Sequence, residues 1–112
     1  MSLFCMAASA VPDPPPLSGF AAWYGEEHRG KLMANGQRFD PERLTAACWF
    51  YPLGTRLRVT ASGSTNIVEV VVTDRGPGRQ LVRQGRILDL SRAAFERLAK
   101  AERGVIGVSV QK

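Results

Sequence analysis

The sequence predicts a mainly β domain closed into a barrel, with one helix packed against its side. Three observations carry this. Short alternating or β-branched runs recur along the chain, glycine-rich turns separate them, and only one segment has helical periodicity. Closing the sheet removes the unpaired edges that an open sheet of short strands would expose.

At 112 residues the chain is long enough for one hydrophobic core and too short for two domains of usual size. Hydrophobic residues make up 45% and charged residues 22%, enough apolar surface to offset the entropy of ordering the chain. Residues 1–18 are expected to be a signal-peptide remnant and a proline-rich linker, and residues 19–112 the folded domain. Leu3 to Ala8 is a short apolar stretch, and Ala8-Ser9-Ala10 fits the small-x-small pattern of signal cleavage, so export to the periplasm or cell envelope is expected. Val11 to Ser18 is too rich in proline for a helix or a central strand.

Gly19 to Gly25 reads as a first strand closed by glycine. Glu26 to Asp40, rich in glycine, asparagine and charge, reads as loop. Thr55-Arg56-Leu57-Arg58-Val59-Thr60 alternates apolar and polar side chains, as a half-buried strand does. Turn residues from Ala61 to Asn66 lead into Ile67 to Thr73, β-branched enough for a central strand, and the two runs form a hairpin. A second glycine-rich loop spans Gly76 to Gly85, and Ile87-Leu88 is a short strand ending at Asp89. Ser91 caps a helix from about Arg92 to Lys100, with Ala94, Phe95, Leu98 and Ala99 on its apolar face and Glu96 four residues before Lys100. Val105 to Val110 closes the chain as the last strand.

Fifteen Lys and Arg against ten Asp and Glu give a formal charge of +5, which suits a polyanionic partner or simply a soluble surface. Nucleic acid, anionic lipid and acidic glycan all qualify on charge alone. No apolar run approaches the roughly 20 residues of a membrane span. Two cysteines, Cys5 and Cys48, are too few for a disulfide framework.

Seven runs, taken in order and spacing, carry a family resemblance. They are Ala21-Ala22-Trp23-Tyr24-Gly25, Ala34-Asn35-Gly36, Phe39-Asp40, Leu44-Thr45-Ala46-Ala47, Pro52-Leu53-Gly54-Thr55, Thr73-Asp74-Arg75-Gly76-Pro77 and Gly85-Arg86-Ile87-Leu88-Asp89-Leu90-Ser91. From Gly19 to Val110 the chain resembles the rare lipoprotein A family. The resemblance implies a six-stranded double-psi β-barrel, the fold shared with expansins and barwin-like proteins. It also implies lytic transglycosylation of peptidoglycan strands stripped of stem peptides. The implied partner is therefore glycan rather than nucleic acid, the protein is expected to be a monomer, and no metal or cofactor signature is present.

Such glycan exposes a lactyl carboxylate on every muramic acid, so Arg75, Arg79, Arg83 and Arg86 are either substrate contacts or solvated loop charges. Asp74, at the end of a strand before a Gly-Pro turn, is the candidate acid and base; its plainer role is to cap that turn. Asp89 matches a second acidic position of expansins, and either contacts sugar or supports the strand-to-helix connection. The family carries a Glu and a His where this chain has Gln37 and Cys48. Gln37 can hydrogen-bond a sugar but cannot transfer a proton, and Cys48 replaces imidazole poorly. Met33 stands where a hydroxyl residue is usual. These departures predict lost or altered activity with retained binding: a non-catalytic glycan-binding or wall-loosening domain, or a protein-interaction barrel, competes with the enzyme.

A lone Cys48 is otherwise a buried small hydrophobe, and a Cys–His nucleophile would need His28, whose position the sequence does not fix. Asn35 and Tyr24 are further candidate sugar contacts. Trp23 and Tyr24 offer either a platform for a sugar ring or core packing, and Trp49, Phe50 and Tyr51 pose the same alternative.

Overall fold

The computed structural model describes residues 16–112. Six strands, β1 (Leu17–Tyr24), β2 (Thr45–Ala47), β3 (Arg56–Ala61), β4 (Ile67–Asp74), β5 (Arg86–Ser91) and β6 (Val105–Gln111), close into a barrel in the order β1-β5-β2-β4-β3-β6. The pairs β1/β5 and β2/β4 are parallel; the other four are antiparallel. The expected signal segment lies outside the described residues, and β1 starts at Leu17, ahead of the expected Gly19.

The alternation of β3 sends Leu57, Val59 and Ala61 inward and leaves Arg56 and Arg58 exposed. On β4, Val68, Val70 and Val72 face the same interior. Leu88, Leu90, Val108 and Val110 fill the remainder, and Phe95 closes one side of the core. The hairpin β3/β4 forms as expected, with Leu57 opposite Val70 and Val59 opposite Val68. β1 meets β5 so closely at Gly19 that a Cβ there would lie 2.7 Å from the Gly85 carbonyl oxygen. That oxygen accepts from the Phe20 amide at 2.9 Å.

β2 was not expected as a strand, and both helical segments differ from the sequence expectation. The Gly76–Gly85 loop holds a five-residue helix, α1 (Arg79–Arg83), with no buried residue and no side-chain cap. The expected second helix, α2, spans only Arg92–Glu96 and continues as turns through Leu98 and Ala99. Ser91 caps it, its hydroxyl accepting from the Ala94 amide at 3.3 Å. Glu96 faces Arg92 at 3.8 Å, one turn back, rather than Lys100. Ala94, Phe95 and Leu98 are buried as the apolar face required. The barrel with a side-packed helix therefore stands, with α1 added.

Candidate active site

The ends of β1, β2, β4 and the middle of β5 meet at one rim of the barrel. Ala47, the last residue of β2, is the centre of this rim: it pairs with Asp74 on β4 and with Asp89 on β5. A register shift between Ala46 and Ala47 brings Asp74 into that position. The two carboxylates thus sit on strands flanking β2, two strand spacings apart, which puts their Cα atoms roughly 10 Å from each other. Ala22 of β1 pairs with Asp89 on its other side. A Cβ added at Gly76 would touch both Ala47 Cβ, at 3.3 Å, and Asp89 Oδ2, at 3.7 Å, so glycine keeps this rim open.

Asp74 is anchored by one oxygen. Its Oδ1 accepts from the Ala34 amide at 2.9 Å and from the Arg75 amide at 2.8 Å. Among the described residues Oδ2 has no donor, so one oxygen is fixed and the other is available. The turn-capping role and the substrate-facing role are therefore compatible.

Asp89 is half-buried. Burial pushes its carboxyl above the usual range, while the nearby Arg86 and His28 charges oppose that rise. The structure thus gives His28 a place that the sequence could not: its ring lies edge-on to Tyr24 at 5.3 Å, and its Nδ1 is 3.3 Å from Glu27. No sequence signal would have found it, because the contact depends on a single 3-10 turn, Glu26–His28, that carries no apolar periodicity.

Tyr24 is held in place by stacking on Phe39, with ring centroids 4.4 Å apart. Its hydroxyl is buried without a hydrogen-bond partner. Burial first, then the Asp74 and Asp89 charges, push the phenol far up. Phe39 thus covers one face of the Tyr24 ring, and the His28 ring stands nearly perpendicular to it. Trp23 takes the core role, packing on Phe95 and donating its indole N–H to the Ala101 carbonyl at 2.9 Å.

Cys48 follows Ala47 directly and is wholly buried. Its amide donates to the Asp74 carbonyl at 3.0 Å. Burial pushes the thiol up, opposed by the backbone amides of Phe50, Tyr51 and Trp49 and by the Arg75 charge. The thiol packs in the core cluster, without exposed surface.

The segment from Met33 to Gln37 folds over the end of β4. The Asn35 amide donates to the Thr73 carbonyl at 3.1 Å, the Met33 amide to the Gln37 carbonyl at 2.8 Å, and Gly36 takes a positive φ of 87°. The side-chain amide of Asn35 donates to Gln37 Oε1 at 3.0 Å, so these two exposed residues bind each other. Met33 fills its usual hydroxyl position as a buried acceptor, taking the Thr73 hydroxyl on its sulfur at 3.3 Å. A cleft of about 680 Å³ lined by Gln37, Arg38, Arg43 and Thr73 adjoins this segment. Asp74 does not line it.

The arginines divide. Arg75 spends one guanidinium nitrogen on the carbonyls of Cys48 and Tyr51, both at 2.7 Å, and so laces the 48–51 segment to the turn after Asp74. Arg86 is half-buried on β5 near Asp89, whereas Arg79 and Arg83 are exposed on α1.

Fold and site together define a double-psi β-barrel with an acidic rim, and the family model described as lytic transglycolase matches residues 17–110. The endolytic peptidoglycan transglycosylase RlpA of Yersinia pestis is 44% identical over 90 residues, covering 79% of this chain and 24% of its own length. The chain belongs to this rare lipoprotein A family, and spans about a quarter of the length of such curated relatives. Among solved structures, the Streptomyces papain inhibitor superposes with a TM-score of 0.67 at 26% identity, covering 90% of this chain and 96% of the inhibitor. The apo expansin of Clavibacter michiganensis superposes with a TM-score of 0.63, also at 26% identity, covering 86% of this chain and 49% of the expansin.

Proposed function

We propose that this domain engages peptidoglycan glycan strands stripped of stem peptides at the Asp74–Asp89 rim, and cleaves them as a lytic transglycosylase. The observation that carries the reading is the Asp74 carboxylate, fixed through Oδ1 by two amides with Oδ2 left for a ligand. Family membership supports it. In the acid form, the Asp74 carboxyl gives its proton to the glycosidic oxygen as the bond from that oxygen to the muramic anomeric carbon breaks. The muramic acid's own primary hydroxyl then bonds to that carbon, and the Asp74 carboxylate takes the hydroxyl proton. The products are a free saccharide end and an anhydro-muramic end, with no water consumed.

Asp89, which burial holds nearer its acid form, faces the same rim and can hydrogen-bond the sugar. Arg86 and the net positive charge favour a strand of lactyl carboxylates. Glycan of this kind is an envelope polymer, so the domain is read as exported, and as acting without a partner copy.

A second reading, binding without cleavage, is favoured by Gln37 and Cys48. The resemblance matches those positions to a Glu and a His, and neither Gln37 nor Cys48 supplies a second proton-transferring group at neutral pH. The test is incubation with denuded glycan strands and mass analysis for anhydro-muramic ends. Enzymatic action predicts products that Asp74→Asn abolishes. Sedimentation with glycan by both proteins, without products from either, leaves the binding reading and ends the catalytic one.

A further inference from the structure

We propose that Trp49, with Phe50 beside it, forms a stacking subsite that extends the glycan groove beyond the Gly76–Pro77 turn. This rests on the glycan reading above and names a contact that reading does not contain. Trp49 is 48% exposed and Phe50 47%, and neither belongs to the core cluster, although Cys48 immediately before them is wholly buried. Adjacent large aromatic rings left this open make an exposed apolar patch, which marks an interaction surface where a singly exposed ring would not.

The indole is not a loose surface group. Its only polar atom, Nε1, donates to the Pro77 carbonyl at 2.6 Å. With the donor used internally, what the ring presents outward is an apolar face held at a fixed angle. The segment that carries it is tied to the site at three more points: Cys48 N–H to the Asp74 carbonyl, and Arg75 to the carbonyls of Cys48 and Tyr51. The platform and the Asp74 carboxylate are therefore parts of one rigid rim.

A pyranose ring suits that surface. Its axial C–H groups carry partial positive charge, and the face of an indole is the negative part of its quadrupole. A rigid ring also contributes contact area at little entropic cost. The strand leaving the acidic rim across the Pro77 turn meets this face next. Tyr24 has one ring face taken by Phe39, whereas no aromatic ring stacks on Trp49 or Phe50 among the described residues.

The experiment uses peptide-free glycan strands as the probe and the two tryptophans as reporters. Trp23 is packed against the core and Trp49 is exposed, so acrylamide quenches Trp49 preferentially. Saturating glycan should protect the wild type from quenching, and Trp49→Phe, which keeps only Trp23, should show no glycan-dependent change. In sedimentation, Trp49→Ala should weaken glycan binding about tenfold, the scale of one aromatic stacking contact, with Trp49→Phe intermediate. Wild-type binding with unaltered quenching, or a Trp49→Ala protein that sediments as the wild type does, overturns the subsite alone. A wild-type protein that does not sediment with glycan overturns the glycan reading together with it.

Discussion

The amide of Cys48 donates to the carbonyl of Asp74 at 3.0 Å, so the position that the resemblance matches to a histidine is bonded through its main chain to the residue that bears the candidate acid. The bond joins the two main chains, while the Cys48 side chain lies in the core. Restoring Gln37→Glu together with Cys48→His should raise the yield of anhydro-muramic ends by at least about a hundredfold, the low end of what a positioned proton donor contributes. An unchanged yield would mean that these two positions do not limit cleavage.

The same substitution carries a cost in stability. Cys48 has no exposed surface, and an imidazole is larger than a thiol. Cys48→His alone should lower the unfolding free energy by about 1–3 kcal/mol through overpacking, read as a shift of the urea midpoint at constant slope.

Asp89 gives a pH prediction of definite sign. Its carboxyl is raised above the ordinary value of 3.8, first by burial. The folded state therefore binds this proton more tightly than the unfolded state does. Stability is lost as pH rises from that ordinary value through the folded pKa, and the loss is complete above it. Asp89→Asn removes the penalty, so its melting temperature should exceed the wild type's near neutral pH and converge with it in acid. A constant difference across the range would contradict the linkage.

Ser91 holds three separate backbone groups. Its hydroxyl accepts from the amides of Ala94 and Thr45 and donates to the carbonyl of Arg43, joining α2, β2 and the segment before it. Ser91→Ala should cost about 1–2 kcal/mol in urea unfolding, since a helix cap and a buried donor–acceptor are lost together. Glycan sedimentation at temperatures below the transition should be unchanged.

The elements with strong patterning were legible in the sequence. β3 and β4 announce themselves by alternation and β-branching, and Ser91 by its place before an apolar face. The short strand β2 was not legible as a strand, because Thr45, Ala46 and Ala47 are buried on both faces and three residues carry no periodicity. α1 was missed for the opposite reason: it buries nothing, so no apolar stripe marks it. At the site, Asp74 and Asp89 could be named from their motifs, but their common neighbour Ala47 could not. That relationship exists only through pairings between β2, β4 and β5. The confinement of Tyr24 by Phe39 and His28, and the commitment of Arg75 to two carbonyls, likewise arise from tertiary contacts that no local pattern encodes.

β6 pairs with β1 on one side and β3 on the other. It is the last barrel strand to leave the ribosome, so throughout synthesis the preceding strands can form only an open ribbon with two bare edges. Until Val105–Gln111 is in place, β1 and β3 each lack one of their barrel neighbours. Assembly should accordingly be slow for a domain of this size, since its decisive pairing joins the segments most distant along the chain. A nascent chain stalled before Val105 is the species most at risk of sticking to its neighbours.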